Sequence, residues 1–129
     1  MHPIRMTETR LLAIQEQLSA REPIFHRPEH GATRADFEAM TTTDFWEVGA
    51  SGAMYSKDYV FDVLEERRSN AQQEPWNARD FYCQEVATQT YLLTYTLLQG
   101  TRLTRRATLW KRLDDTWKIL YHQGTVVNF

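Results

Sequence analysis

Glu47 stands between Phe45, Trp46 and Val48. A carboxylate held among apolar side chains loses hydration, so its pKa rises and it can take or give a proton near neutrality. Its plainer reading is a structural ion pair with Arg106, or exposure to solvent. Histidine is the side chain suited to proton transfer near neutrality, which makes His122 a candidate, and its plainer reading is a subunit contact or a bond to a backbone carbonyl. Arg106, Thr108, Trp110, Tyr121 and Gln123 form a third group, in which polar side chains and a hydroxyl are set among aromatic rings. Small-molecule sites are lined in that way, and so are satisfied hydrogen-bond networks that close the end of a sheet. Glu47 and His122 are thus the candidates for catalysis, and the five others the candidates for holding a ligand.

Other constellations carry less. His26 and His30 are four apart, a ligand spacing on a helix, but Pro28 lies between them and no third ligand is near, so a surface loop is the better reading. No metal or cofactor is expected. Arg102, Arg105, Arg106, Lys111 and Arg112 fall within eleven residues that contain no acid. Strand alternation divides them between two faces, which gives a solvated or anion-binding rim rather than a nucleic-acid surface. Cys83 has no neighbour that would depress its pKa. Trp46, Trp110 and Trp117 read as core before they read as a ligand platform.

Elements must position these residues, and two periodicities divide the chain. Leu11, Ile14 and Leu18 share one face of a helix expected from about Thr7 to Ala20, ended by Pro23 and Pro28. Thr33 and Asp36 form a capping pair before a short helix on which Phe37 and Met40 share a face. Ser56 opens a third helix, with Asp58 suited to its positive end, Arg67 and Arg68 to the other, and a buried stripe of Tyr59, Val60, Val63 and Leu64. Between the second and third helices, residues 44–52 read as a strand and turn, with Gly49 and Gly52 supplying backbone freedom for a hairpin. From residue 81 onward the period is two, with strands expected near Phe81 to Thr88, Tyr91 to Leu98, Leu103 to Leu113 and Thr116 to Val127. Helices followed by a meander of long strands imply an α+β domain.

If Asp114-Asp115 is a two-residue turn, Leu113 faces Thr116 and alternation fixes every later pair. Arg106 is then opposite Gln123, Thr108 opposite Tyr121 and Trp110 opposite Ile119, with Ala107–His122 and Leu109–Leu120 on the other face. Arg106 and Glu47 are expected to pair, since an unpaired buried charge is expensive. Both faces carry apolar side chains, and a sheet with helices on one side needs only one such face. A second copy of the chain is the expected cover, giving a homodimer.

The 129 residues, 15.3 kDa, form one domain, residues 1–129, large enough to hold a core without staples. One cysteine excludes an internal disulfide. Fifteen Lys and Arg against seventeen Asp and Glu argue against a protein dedicated to nucleic acid. The longest mostly apolar stretch, Tyr91 to Leu98, is far short of the roughly twenty residues of a membrane span, and the run Leu11 to Ile14 is too short for a signal-peptide core. A cytoplasmic location is the expectation.

Three segments carry a resemblance: residues 44–52 (Asp-Phe-Trp-Glu-Val-Gly-Ala-Ser-Gly), 106–110 (Arg-Ala-Thr-Leu-Trp) and 117–125 (Trp-Lys-Ile-Leu-Tyr-His-Gln-Gly-Thr). Together they resemble the nuclear transport factor 2-like superfamily. More narrowly, they are similar to its bacterial domain-of-unknown-function branch, SnoaL-like and ketosteroid-isomerase-like in fold. A Phe-x-Glu-x-Gly-x-Ser-Gly strand and a terminal His-Gln-Gly-Thr recur there, and Thr108 stands where that branch tends to have serine. The resemblance implies a cone-shaped, curved antiparallel sheet wrapped around three N-terminal helices, a pocket between sheet and helices beside Glu47, and usually a dimer. The superfamily includes ketosteroid isomerase, limonene-epoxide hydrolase, polyketide cyclases, dehydratases and members without catalysis, so fold alone assigns no reaction. Two functions are implied: a binder of a small, partly apolar molecule, acting as an isomerase, dehydratase or hydrolase, or a non-catalytic dimerisation or protein-interaction module.

Overall fold

The structure, a computed structural model, describes residues 1–69 and 75–128, without the side chains of Arg68 and Ser69, so the expected place of Arg68 at a helix end lies outside the described residues. A 3-10 turn, Thr9–Leu11, leads into helix α1, Leu12–Ser19, which buries Leu11 and Leu18. Helix α2, Arg34–Ala39, begins at the expected capping box: the Asp36 amide donates to Thr33 Oγ1 at 3.1 Å and the Thr33 amide to Asp36 Oδ2 at 3.0 Å. Helix α3, Lys57–Ser69, is capped by Ser56, whose hydroxyl accepts from the Tyr59 amide at 3.2 Å. Its buried stripe differs from the expected one. Val60 and Phe61 are buried and Leu64 packs on the core, whereas Tyr59 is exposed and stacks on Tyr55 at 4.9 Å between centroids. The helix turns about one residue further than the sequence pattern implies, because Phe61 is drawn into a cluster with Phe25 and Phe37.

Six strands follow the order β2-β1-β6-β5-β4-β3: β1 Thr41–Val48, β2 Met54–Ser56, β3 Trp76–Ala87, β4 Thr90–Gln99, β5 Arg102–Leu113 and β6 Thr116–Val126. The β1–β2 hairpin forms as expected, with the Gly49 amide bonded to the Ala53 carbonyl at 2.9 Å. The sheet is open and mixed. Every neighbouring pair is antiparallel except β1 and β6, which run parallel because β1 enters between the helices and lies beside the last strand. Register shifts in β3, between β5 and β6 and between β1 and β6 bend these long strands around the helices. The concave face carries Phe45, Cys83, Leu93, Tyr95, Leu97, Trp110 and Ile119, which pack on Leu11, Leu18, Ile24, Phe37 and Phe61.

One of those shifts overturns the expected register. Asp114 and Asp115 both have positive φ, the two-residue turn forms, and Leu113 meets Thr116 and Trp110 meets Ile119. Then β6 gains an extra residue, so that Leu109 meets Tyr121 instead of Leu120. Beyond it Thr108 pairs with His122, Ala107 with Gln123 and Arg106 with Gly124. A one-residue slip sends side chains to the opposite face. His122 therefore turns inward, while Tyr121 and Gln123 turn outward.

Candidate functional site

Five of the seven predicted residues lie on the concave face, and it is the bulge that adds His122 to them. Along β5 the inward row is Trp110, Thr108, Arg106 and Thr104; beside it on β6 are His122 and Gly124, and β1 adds Glu47 opposite His122. Tyr121 and Gln123 lie on the convex face, joined by a hydrogen bond from the Tyr121 hydroxyl to Gln123 Oε1 at 2.6 Å, with Trp46 packed on the Tyr121 ring at 4.7 Å.

His122 Nδ1 lies 3.3 Å from Glu47 Oε2. An ionised carboxylate only accepts, so Nδ1 carries the proton, and in the neutral ring Nε2 holds a lone pair. His122 is buried, Glu47 reaches partly to solvent, and Nε2 meets no partner among the described residues. Thr108 Oγ1, on the paired residue of β5, is likewise buried without a partner among them. Two unsatisfied polar atoms thus belong to paired residues of the concave face, one of them on a carboxylate-oriented imidazole.

Arg106 does not pair with Glu47 as expected. Its Nε donates to Thr104 Oγ1 at 2.9 Å and its Nη2 reaches Gln99 Oε1 at 3.5 Å, while the Glu47 carboxylate takes His122. Gly124 leaves room for that guanidinium, since a Cβ there would come within 3.3 Å of Arg106 Nε. Burial pulls the Arg106 pKa below its ordinary value. His26, half-buried, is pushed down to about 4, first by burial and then by Arg67, Arg106 and His122, against an opposing pull from Glu47. His30 points elsewhere, with Nε2 3.2 Å from the Ala20 carbonyl.

The residues that sequence reasoning missed sit in the middle of the cone. Glu22 is completely buried, and its carboxylate accepts from the Tyr95 hydroxyl at 2.5 Å, the Ile24 amide at 3.1 Å and the Trp110 indole at 3.2 Å. The same carboxylate, with burial as the larger cause, holds the Tyr95 pKa well above its usual value, so the hydroxyl stays a donor. The one signal in the sequence was an acid directly before Pro23-Ile24-Phe25, a charge set in an apolar segment. Two clefts lie beside the helices; neither is lined by Glu47, Arg106, Thr108 or His122, and of the predicted residues Trp110 alone borders the smaller one.

No protein-family model matches the chain, and no curated protein does. Solved structures do. A nuclear transport factor 2-like protein from Cytophaga hutchinsonii is 13% identical, with 95% of this chain and 100% of that one covered at a TM-score of 0.66. A candidate ketosteroid isomerase from Parabacteroides distasonis is 16% identical, with 96% of each chain covered at 0.69. A nuclear transport factor 2-like protein of unknown function in nutrient uptake from Rhodospirillum rubrum is 16% identical, with 91% and 98% covered at 0.64. The fold is the nuclear transport factor 2-like α+β cone, as the sequence resemblance implied.

Proposed function

We propose, with the nuclear transport factor 2-like fold as premise, that this protein binds a small, partly apolar molecule on the concave face of its sheet and that the Glu47–His122 pair draws a proton from it. The observation that carries this reading is the pair of buried, partnerless atoms Thr108 Oγ1 and His122 Nε2 on facing residues. Leaving a buried polar atom unbonded costs about 1–3 kcal/mol, and a ligand oxygen or an acidic C–H brought to these atoms offsets that cost. In the reaction, Nε2 takes a proton from the carbon next to a carbonyl, Nδ1–H steadies the resulting imidazolium against Glu47, and the negative charge left on the ligand oxygen is met by Arg106 or the Thr108 hydroxyl. Returning the proton to another carbon makes an isomerase; expelling a neighbouring hydroxyl makes a dehydratase.

A metabolite library screened by thermal shift tests binding, and incubation of the hits in heavy water tests the proton step. Aromatic or terpenoid ketones, lactones and acids are expected to raise the melting temperature, by about 2.7 kcal/mol of stability at a hundred times the dissociation constant. Arg106→Met should weaken the anionic hits, and His122→Gln should stop deuterium uptake. No hits, or hits indifferent to both changes, would overturn the reading.

A second reading, the non-catalytic interaction module, draws support from the middle of the cone, where Glu22, Tyr95 and Trp110 satisfy one another and the void that Trp110 borders holds only about 10 Å³. Either reading includes a homodimer through the convex face, where the exposed Trp46 packs on Tyr121 beside the half-buried Leu109 and Leu120. Among the described residues no helix is long and apolar enough to cross a membrane. Cys83 is free and buried, and burial pushes its thiol up to about 11, so it stays protonated.

A further inference from the structure

Toward the β5–β6 turn, away from Glu47 and His122, the segment after α1, helix α2 and the start of β6 enclose a cleft of about 260 Å³. Met40 and Trp117 give it apolar walls; Arg21, His30, Asp36, Asp115 and Thr116 are its polar members. Four of these five are already engaged, Thr116 through its hydroxyl, which donates to the Asp114 carbonyl at 3.4 Å. His30 is tied through Nε2 to the Ala20 carbonyl, and Asp36 Oδ2 accepts from the Ala32 and Thr33 amides, both at 3.0 Å. Asp115, almost fully exposed, leans toward Arg112 at 3.9 Å.

Arg21 is different. It is half-buried, and its guanidinium meets no acceptor and no carboxylate among the described residues; burial lowers its pKa with no partner's charge opposing the shift. A planar fork of donors, partly stripped of water and lining a cleft, matches the geometry of a carboxylate or a phosphate. Asp36 and Asp115 on the same cleft repel a doubly charged anion about twice as strongly as a singly charged one, which favours the monoanion. The volume is below the roughly 300–1,000 Å³ of drug-sized sites, which limits the ligand to a compact body. A narrower void of about 10 Å³ shares Arg21, His30 and Met40 with the cleft and continues to Trp110 and Ile119, with room for about one water.

We propose that this cleft binds a small organic monoanion, its carboxylate against Arg21 and its apolar body on Met40 and Trp117. The site is separate from the proton-transfer site, since none of Glu47, Arg106, Thr108 and His122 lines it. Para-fluorobenzoate titrated into the full chain, with the uncharged para-fluorobenzamide beside it, is the test. Fluorine NMR reads affinity and the Trp117 indole N–H resonance reads location. The acid should bind saturably and at least about tenfold tighter than the amide. Read at the Trp117 resonance, Arg21→Met should erase that difference and Arg21→Lys should keep part of it, while Arg106→Met should leave the Trp117 response intact whatever it does to an acid bound on the concave face. Because the guanidinium has no bond to lose, Arg21→Met should melt with the wild type; if it does not, the Lys variant and the acid-to-amide ratio still decide. Absence of saturable binding at Trp117, equal affinity there for acid and amide, or a response at Arg106 and His122 with none at Trp117 would each overturn the proposal.

Discussion

His26 and the Glu47–His122 pair show how neighbours set what a side chain does. Burial, with Arg67, Arg106 and His122 nearby and Glu47 opposing, brings the folded-state pKa of His26 to about 4, against 6.5 for a free imidazole. Between these values the unfolded chain binds the proton and the folded chain does not, so stability is lost as pH falls from 6.5 to 4, by about 3 kcal/mol. Urea melts of the wild type and His26→Gln across this window should show the wild type losing that much more; equal slopes would place His26 in a solvated setting. The neighbouring pair makes its own prediction. Glu47→Gln and His122→Phe should couple in a double-mutant cycle, because either change alone leaves one member of the pair without its partner, whereas Glu47→Gln and Arg106→Met, which break no shared bond, should add to within about 0.5 kcal/mol.

At the scale of elements, turns and bulges decide what reaches the concave face. The β1–β2 hairpin puts Gly49 under the Tyr55 ring, where an added Cβ would come within 2.7 Å of Cε2. Gly49→Ala must therefore push Tyr55 off its stack with Tyr59, and chemical denaturation should show a loss of about 1–3 kcal/mol; an unchanged midpoint would mean that the hairpin is free to shift. The hairpin matters to the site because β1 carries Glu47 to its place opposite His122. Surface ion pairs join the helices on the other side: Arg34 of α2 reaches Asp62 at 2.9 Å and Glu65 at 3.3 Å on α3. Exposed pairs of this kind contribute about 0–1 kcal/mol each, so the position of α3 rests on Val60, Phe61 and Leu64 instead.

For the whole molecule, the convex face is the surface on which the proposed dimer rests. Trp46 is 44% exposed, and Tyr121, Leu109 and Leu120 are only half-buried on a face with no helix over it. Light scattering behind a sizing column should give twice 15.3 kDa at micromolar concentration, and Trp46→Glu should return the protein to the monomer mass. A monomer in the wild type would remove the dimer.

The sequence by itself determined what depends on near neighbours. The Thr33–Asp36 capping box, the Ser56 cap, the Asp114–Asp115 turn and the alternation that turns Trp110 and Ile119 inward were all legible, because each is settled within a few residues of the chain. The motif resemblance carried the cone. Tertiary structure alone decided the site. Alternation counted outward from a turn holds only until the ladder is interrupted, and the extra residue before Tyr121 reversed the faces of His122, Tyr121 and Gln123. The need for that bend arises where the sheet wraps the helices, which no local pattern encodes. Glu22 was hidden for the same reason: the Tyr95 and Trp110 groups that hold it come from 73 and 88 residues away, and only folding brings them to one carboxylate.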